Sequence, residues 1–198
     1  MYGGWWWGTQ NGTELRVTDT NRDMVAFASG NSICFKGGAS DTSTVFDNIK
    51  TINFDAVDTT RVTSAAYAFY NMKSLTTITG LSRWDTSKIT TMNSMFKGCT
   101  GLKSLDFSSF NTKNVTDFSS MMYGCTGLSK ITVADTFATA YLPTPGFSTG
   151  FTYVSSKMGL TIAGNPSSAL SSYNFTSDNR TVTYDTSTAS DDESDNEF

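Results

Sequence analysis

The 198-residue sequence contains no histidine, only three prolines and only three cysteines. Without histidine the chain cannot form a Ser-His-Asp or Cys-His nucleophile arrangement, or a histidine-ligated metal site. Charged residues make up only 16% of the chain, and no run of about eighteen apolar residues is present, so no membrane-spanning helix is expected. These absences predict a protein that is not an enzyme, with no metal and no cofactor.

Hydroxyl side chains take the place of the missing charges, since serine and threonine make up about 29% of the chain. Apolar residues at 38% and aromatic residues at 13% are enough for a folded core. The net charge is −4, but five acids lie within residues 191–198, and the remainder holds fourteen basic and thirteen acidic residues. A nearly neutral body predicts no nucleic-acid partner. The first residues lack the basic and apolar regions of a signal peptide, so none is expected there.

An internal repeat is the strongest pattern in the sequence. The segment that begins at Ile89 returns at Val115, 26 residues later, and both copies contain Gly-Cys-Thr-Gly-Leu. A weaker copy begins at Val62. A fixed period of this length is typical of proteins built from stacked units, in which equivalent side chains form columns. The expected columns are Phe69/Phe96/Met122, Met72/Cys99/Cys125, Leu75/Leu102/Leu128, Trp84/Phe110 and the polar sets Thr59/Thr86/Thr112 and Thr63/Thr90/Thr116.

Each unit combines two spacings. Met92, Met95, Phe96 and Cys99 fall at i, i+3, i+4 and i+7, which is one face of a helix. Ser64, Thr91 and Asp117 are candidate helix N-caps, and Asn71, Gly98 and Gly124 stand where a left-handed residue ends a helix. Leu102-x-x-Leu105-x-Phe107 predicts a short strand. The expected fold class is therefore an α/β repeat: a short leucine-rich-repeat-type solenoid of about three strand-helix coils with β-rich N- and C-terminal caps.

Breaks in the repeat predict four regions: an N-terminal β cap (1–44), the repeat solenoid (45–142), a C-terminal β-rich cap (143–190) and an acidic tail (191–198). Asn11-Gly12 predicts a hairpin with a type I′ turn between the tryptophan-rich start and the strand Leu15–Val17. The prolines at 143 and 145 interrupt the repeat. Beyond them we expect strands at 152–154, 160–162 and 181–184, and a short helix over 165–173.

The repeat phrases beginning at Trp84 and Leu105 resemble the BspA-like leucine-rich repeats of bacterial surface proteins and lipoproteins, found in gut bacteria and mycoplasmas. The resemblance covers about residues 45–135. Met72 departs from it by replacing the repeat cysteine, and Phe118 replaces a usual methionine. Because members of that family are mostly non-enzymatic and several act in adhesion, the resemblance implies a binding module without fixing its ligand.

Two sets of residues are candidate binding sites. In stacked repeats the outward side chains of the strands form a regular array that such proteins often use for binding, although a plain solvated sheet would have the same pattern. Three adjacent tryptophans either pack as a cap on the first unit or dock on another protein. The strand-face residues are Thr77, Thr79, Ser104, Asp106, Lys130 and Thr132, and the docking patch is Trp5, Trp6 and Trp7.

Other motifs are more consistent with structural roles. Residues 19–23 match the opening of a calcium loop, but Met24 and Gly30 occupy the positions that need Gly and Glu, so a turn is expected. Two glycine-rich segments lack the Gly-Lys-Ser/Thr motif that a phosphate-binding loop requires: Gly98-Cys-Thr-Gly101 and Gly124-Cys-Thr-Gly127. Because Cys99 and Cys125 lie on the apolar stripe, we expect buried, unbridged thiols.

Two functions remain open from the sequence. The first is a non-enzymatic protein-binding or adhesion module displayed extracellularly on a bacterial surface, whose partner is a protein or glycan on a host or bacterial surface. The second is a bacteriophage virion component, such as a decoration, head-fibre or tail attachment protein, that contacts other virion proteins.

Overall fold

A computed structural model describes residues 8–11, 13–18, 47–137, 160–164 and 182–185. Within these ranges the regular elements are short strands and a single 3₁₀ turn. The strands are β1 (Gly8–Asn11), β2 (Glu14–Thr18), β3 (Thr51–Ala56), β4 (Thr77–Thr79), β5 (Ser104–Phe107), β6 (Lys130–Val133), β7 (Leu160–Gly164) and β8 (Val182–Asp185), and the 3₁₀ turn is Leu81–Arg83.

The strands form two four-stranded sheets, ordered β1-β2-β3-β4 and β5-β6-β7-β8. β1 and β2 form an antiparallel hairpin, as expected, but Asn11 pairs with Glu14 as the last residue of β1 and not as a residue of the turn. Every other neighbouring pair of strands is parallel. Thr51 pairs with Thr77, and Ser104 pairs with Lys130. Each of these partners lies one repeat length along the chain. The repeat period read from the sequence therefore matches the register of the β3–β4 and β5–β6 pairs.

The predicted strand-helix solenoid is wrong, because the described residues contain no α-helix. The three segments with helical spacing are instead chains of hydrogen-bonded turns. We call them turn ribbons, and they cover residues 64–72, 91–99 and 117–125. Parallel bridges between Ser64 and Thr91 and between Thr91 and Asp117 hold the three turn ribbons side by side.

The hydrogen bonds of a turn ribbon explain why it is not a helix. The Met95 N–H donates to the Met92 carbonyl at 3.2 Å, as in a β-turn, but the next N–H, that of Phe96, donates sideways to the Met121 carbonyl at 2.8 Å. An α-helix would bond every N–H to the carbonyl four residues earlier. Ser94 has a φ of 53°, a left-handed conformation that an α-helix does not contain.

The residues predicted as helix N-caps make the same kind of side-chain to backbone hydrogen bond, but in turns. Ser64, Thr91 and Asp117 each accept a hydrogen bond from the backbone N–H two residues later, at 3.3, 3.2 and 2.8 Å. This is the turn-forming bond typical of Ser, Thr and Asp side chains. Gly98 and Gly124 are left-handed as expected, with φ of 78° and 75°. The predicted cap residues therefore do bond to or bend the backbone at these positions, but the segments between them are chains of turns and not helices.

The apolar stripes of the ribbons and strands form one buried core, and all members of the four predicted apolar columns are buried. The Phe69 and Phe96 rings stack at 5.0 Å, and Trp84 stacks on Phe110 at 6.4 Å, as the columns predict. Phe107 also stacks on Phe137, with centroids 5.0 Å apart. Burying each of these side chains stabilises the fold by about 1.5–3 kcal/mol.

A buried threonine column connects neighbouring repeats, as predicted. The Thr59 hydroxyl donates to the Asp85 carbonyl at 3.1 Å and accepts from the Asp85 N–H at 2.6 Å. Thr86 makes the same pair of bonds with Asn111, at 3.1 and 2.8 Å. Thr112 continues the column by donating to the Thr136 carbonyl at 3.4 Å. These hydroxyls satisfy backbone groups that would otherwise be buried without a partner.

Gly80 marks the place where the first sheet ends. Its φ is 77°, and the 3₁₀ turn begins at the next residue. A Cβ built at Gly80 would lie 2.2 Å from the Phe54 carbonyl oxygen, so no other residue fits without movement. The one extra residue of this repeat is therefore absorbed by a left-handed glycine and a 3₁₀ turn. β4 is limited to three residues and lies in a different sheet from β5.

Several expectations fall outside the described residues: the tryptophans Trp5, Trp6 and Trp7, the turn at 19–23, the prolines at 143 and 145, the strand at 152–154, the helix over 165–173 and the acidic tail. The strands expected at 160–162 and 181–184 are found as β7 and β8. In the part of the chain that the structure describes, no helix is long and apolar enough to cross a membrane.

Candidate functional site

The predicted strand-face residues divide between the two sheets. Thr77 and Thr79 are exposed on β4, where they pair with Thr51 and Asn53 of β3. The remaining four lie on β5 and β6 of the second sheet. Here Ser104 pairs with Lys130, and Asp106 pairs with Thr132; the first three of these side chains are exposed and Thr132 is half-buried. The four residues on β5 and β6 form one compact patch, which we call the strand-face patch.

The strand-face patch combines opposite charges on a fixed backbone. Asp106 accepts a hydrogen bond from the Ser108 N–H at 2.9 Å, which orients its carboxylate at the end of β5. Lys130 follows Ser129, whose hydroxyl donates to the Lys103 carbonyl of the preceding repeat at 3.2 Å. Leu105 and Ile131 lie between the outward residues and point into the core. The alternation of β-strand side chains therefore holds two opposite charges and two hydroxyls on one surface.

The first sheet carries a hydrogen-bonded polar row that the sequence did not reveal. The Asn53 amide donates to the Glu14 carboxylate at 2.5 Å, and the Thr79 hydroxyl donates to the Asn53 amide oxygen. Three neighbouring strands are thereby linked on their outer face. The repeat period could have predicted part of this row. Asn53 and Thr79 are 26 residues apart, so they occupy equivalent positions on paired strands.

A shallow depression of about 450 Å³ lies at one side of the repeats. Its two carboxylates cap turns: Asp58 accepts from the Thr60 N–H at 2.9 Å, and Asp85 accepts from the Ser87 N–H at 2.9 Å. Hydrogen bonds from the Ser87 hydroxyl and N–H hold the pKa of Asp85 below its ordinary value. Asp85 is therefore ionised near neutral pH and cannot act as a proton donor there. The depression is lined by Val57, Asp58, Thr59, Thr60, Arg83 and Asp85.

A further surface, on the turn ribbons, combines tyrosines with a lysine. Tyr70, Lys97 and Tyr123 occupy the same position in the three ribbons, because the Asn71 N–H donates to the Lys97 carbonyl and the Gly98 N–H donates to the Tyr123 carbonyl. The Lys97 ammonium lies 5.2 Å from the centre of the Tyr123 ring.

Tyr67 extends this surface, since its ring meets that of Tyr70 edge-on at 5.4 Å. Tyr123 is 37% exposed, and the other three side chains are half-buried. We call Tyr67, Tyr70, Lys97 and Tyr123 the ribbon surface. The ribbon surface was not predicted from the sequence, because the repeats were compared at their apolar and threonine positions and not at the positions beside the apolar stripe. The 26-residue period alone was enough to align these positions.

The repeat cysteines are structural. The Cys99 thiol donates to the Phe69 carbonyl at 2.9 Å, and the Cys125 thiol donates to the Phe96 carbonyl at 3.0 Å. Neither is in a disulfide, as expected. Burial raises the pKa of the Cys125 thiol to about 12, so it stays protonated and unreactive at neutral pH. Across the described ranges, no group of three or more His, Cys, Asp or Glu side chains is placed to hold a metal ion.

The parallel register, the turn ribbons and the surface arrays together define a protein of stacked, hydroxyl-rich repeats. A family model described as "Mycoplasma protein of unknown function, DUF285" matches residues 40–140, just over half of the chain. The chain belongs to this family. The matched segment contains all three turn ribbons and the strand-face patch. No curated protein and no solved structure matches the chain.

Proposed function

We propose that this chain is a non-enzymatic recognition module that works at a bacterial cell surface and binds a partner through the strand-face patch. The observation that carries the proposal is the paired register of Ser104 with Lys130 and Asp106 with Thr132 on an outward sheet face. The similarity of the repeat phrases to BspA-like surface proteins supports display outside the cell.

Rigidity of the scaffold favours recognition by a preformed surface. The side chains between the outward residues are buried, and the neighbouring repeats are joined by backbone hydrogen bonds such as that from the Ser129 N–H to the Lys103 carbonyl at 3.0 Å. A partner would therefore bind without first ordering this part of the chain, which lowers the entropic cost of association. Lys130 pairs with Ser104, two positions from Asp106 on β5, so the two opposite charges lie on neighbouring strands and give the surface a directional pattern that a partner can match.

The test is binding of the fluorescently labelled chain to fixed epithelial cells, measured by flow cytometry over a concentration series. The double variant Asp106→Asn/Lys130→Gln removes both charges of the patch, leaves net charge unchanged and keeps an oxygen acceptor at residue 106. The matched control is Asp135→Asn/Lys113→Gln, which makes the same two substitutions at exposed residues outside the patch.

Under the proposal, the chain binds saturably and the patch variant loses about tenfold or more in affinity, while the control changes by less than about twofold. Circular dichroism and thermal melting establish that both variants are folded. Equal binding by the patch variant and the control would reject the patch as the contact surface. Failure of the unaltered chain to bind saturably would reject the cell-surface role tested here.

A further inference from the structure

The charges of the repeats are divided between two sets of segments. The segments that contain the turn ribbons (61–76, 88–103 and 114–129) hold five basic residues and a single acid, Asp117. The segments between them (51–60, 77–87, 104–113 and 130–137) hold five acids and three basic residues. Asp117 uses its carboxylate to accept the Ser119 N–H at 2.8 Å. The ribbon segments therefore carry a net charge of +4 in a chain whose net charge is −4; Lys97 lies on the ribbon surface, and the other four basic residues flank the turn ribbons in sequence.

We propose that the ribbon surface, formed by Tyr67, Tyr70, Lys97 and Tyr123, is a binding site for an anionic polysaccharide. Three properties of that surface point to this ligand: one exposed and two half-buried tyrosine rings, a lysine in the same column as two of the tyrosines, and one equivalent position per repeat. This site lies on different residues from the strand-face patch, and its existence does not depend on the function proposed above.

The aromatic rings supply the part of the site that recognises sugar rings. Tyrosine presents a flat apolar face, which packs against the C–H face of a pyranose, and a hydroxyl that can exchange hydrogen bonds with sugar hydroxyls. Tyr123 is the large apolar side chain that the described residues expose most, at 37%. Tyr67 and Tyr70 hold each other edge-on at 5.4 Å, so these two rings are already oriented before a ligand arrives.

Lys97 supplies the part of the site that recognises negative charge. Its ammonium lies over one face of the Tyr123 ring, 5.2 Å from the ring centre, so an anion that pairs with it would sit next to this ring, and a sugar would pack on the part of the ring that the lysine leaves uncovered. A lysine held in this way spends less conformational entropy on binding than one that extends into solvent.

The spacing of the repeats fits a polymer better than an isolated sugar. Neighbouring turn ribbons are joined by backbone bonds such as that from the Gly98 N–H to the Tyr123 carbonyl at 2.8 Å. Backbones paired in this way lie about 4.8 Å apart. This distance is close to the length of one pyranose unit, so a chain running along the column would place successive sugars at Tyr70, Lys97 and Tyr123.

The experiment measures binding of the full chain to hyaluronan, a polysaccharide with a carboxylate on alternate sugars, by biolayer interferometry at two salt concentrations. Dextran serves as the neutral polysaccharide, and poly-glutamate as an acidic polymer without sugar rings. The variants are Lys97→Gln, which removes the charge, Tyr123→Ala, which removes the ring, and Tyr123→Phe, which keeps the ring without its hydroxyl. Lys113→Gln is the control, since Lys113 is exposed and lies outside the ribbon segments.

We expect binding to hyaluronan that is weakened about tenfold by Lys97→Gln and by Tyr123→Ala, with less than about a threefold change for Tyr123→Phe and Lys113→Gln. Dextran should not bind, and poly-glutamate should bind at least about tenfold more weakly than hyaluronan. Thermal melting checks that each variant is folded.

The proposal is overturned if hyaluronan does not bind, if Lys113→Gln weakens binding as much as Lys97→Gln, or if poly-glutamate binds as tightly as hyaluronan. The last result would indicate an acidic polypeptide as the ligand. The strand-face double variant Asp106→Asn/Lys130→Gln should keep its hyaluronan affinity, and this separates failure of the ribbon site from failure of the function proposed for the strand-face patch.

Discussion

Replacing Thr86 with valine tests the role of the buried threonine column. Valine has nearly the same shape, so the substitution exchanges the hydroxyl for a methyl group without opening a cavity. Thr86 is 2% exposed, and its hydroxyl makes two hydrogen bonds to the backbone of Asn111, at 3.1 and 2.8 Å. The substitution removes both bonds at once and leaves a backbone N–H and a carbonyl in the next repeat facing an apolar group.

The expected cost follows from those two bonds. Each hydrogen bond within a protein contributes about 1 kcal/mol net, and a buried polar group left without a partner costs about 1–3 kcal/mol. Because Asn111 is only half-buried, we expect nearby water to limit the penalty. We therefore expect Thr86→Val to lower the free energy of unfolding by about 2–3 kcal/mol. Thr86→Ser, which keeps the hydroxyl, should recover most of the loss of hydrogen bonding.

The assay is urea-induced unfolding of the full chain at 25 °C, followed by far-ultraviolet circular dichroism. Thr90→Val is the matched control: the Thr90 hydroxyl donates to the Thr63 carbonyl of the preceding repeat at 3.1 Å, but Thr90 is exposed to solvent. Because water can replace that bond, the control should change stability by about 0.5 kcal/mol or less. Equal free energies of unfolding for the two valine variants, with the same denaturant slope, would contradict this reasoning. They would show that burial does not increase the contribution of the Thr86 hydrogen bonds to stability.

Three other perturbations have defined outcomes. Gly80→Ala should destabilise far more than Gly124→Ala in urea unfolding, because both have φ near 76° but only Gly80 would place a Cβ 2.2 Å from a carbonyl oxygen; equal losses would contradict this reasoning. Phe96→Ala should cost about 3–5 kcal/mol in the same assay, and a loss below about 1 kcal/mol would contradict its central position. Cys125 should resist alkylation at pH 8 until urea unfolds the chain, as measured by peptide mass mapping. Because its pKa is raised to about 12, its contribution to stability is complete below the pKa of an unfolded thiol and is lost as pH rises from about 9 to 12; early alkylation would contradict its burial.

Much of the architecture was predictable from the period of the sequence. Phe69 and Phe96 stack because they are 27 residues apart in successive units, and the same alignment identified the buried threonines. The left-handed backbone at Gly98 and Gly124 also followed from residue type, since glycine adopts positive φ without a steric penalty. Features that repeat with the chain were therefore accessible without coordinates.

The element between those features was not predictable from spacing alone. A chain of β-turns buries residues at i, i+3, i+4 and i+7 just as one face of a helix does, so Met92, Met95, Phe96 and Cys99 fit both structures. The difference lies in Ser94, whose positive φ is uncommon for serine and is imposed by lateral bonding to the next repeat. This bonding is a property of neighbouring units, whereas the helical interpretation considered one unit at a time.

The candidate sites, too, could be predicted from the sequence only in part. The outward positions on β5 and β6 followed from strand alternation, but the separation of Thr77 and Thr79 into another sheet depends on how one extra residue near Gly80 is accommodated. The ribbon surface depends on alignment of side chains that carry no hydrophobic signal. Lys97 lies between two tyrosines, Tyr70 and Tyr123, in one column, so no run of like side chains marks this surface, and it emerges only when the repeats are aligned position by position.

The alternating bonds of the turn ribbons restrict how such a chain can change in length during evolution. Between Met92 and Gly98, every second N–H points to the next repeat and the intervening ones close turns. Losing a single codon there would exchange the two roles for the rest of the ribbon and turn core residues outward. Duplication of a whole 26-residue unit would instead add one more layer and keep the same pattern of bonds between neighbouring repeats. Gene variants that differ by whole units are thus the ones this scaffold can accept, and each added unit would lengthen both the strand-face patch and the ribbon surface by one position.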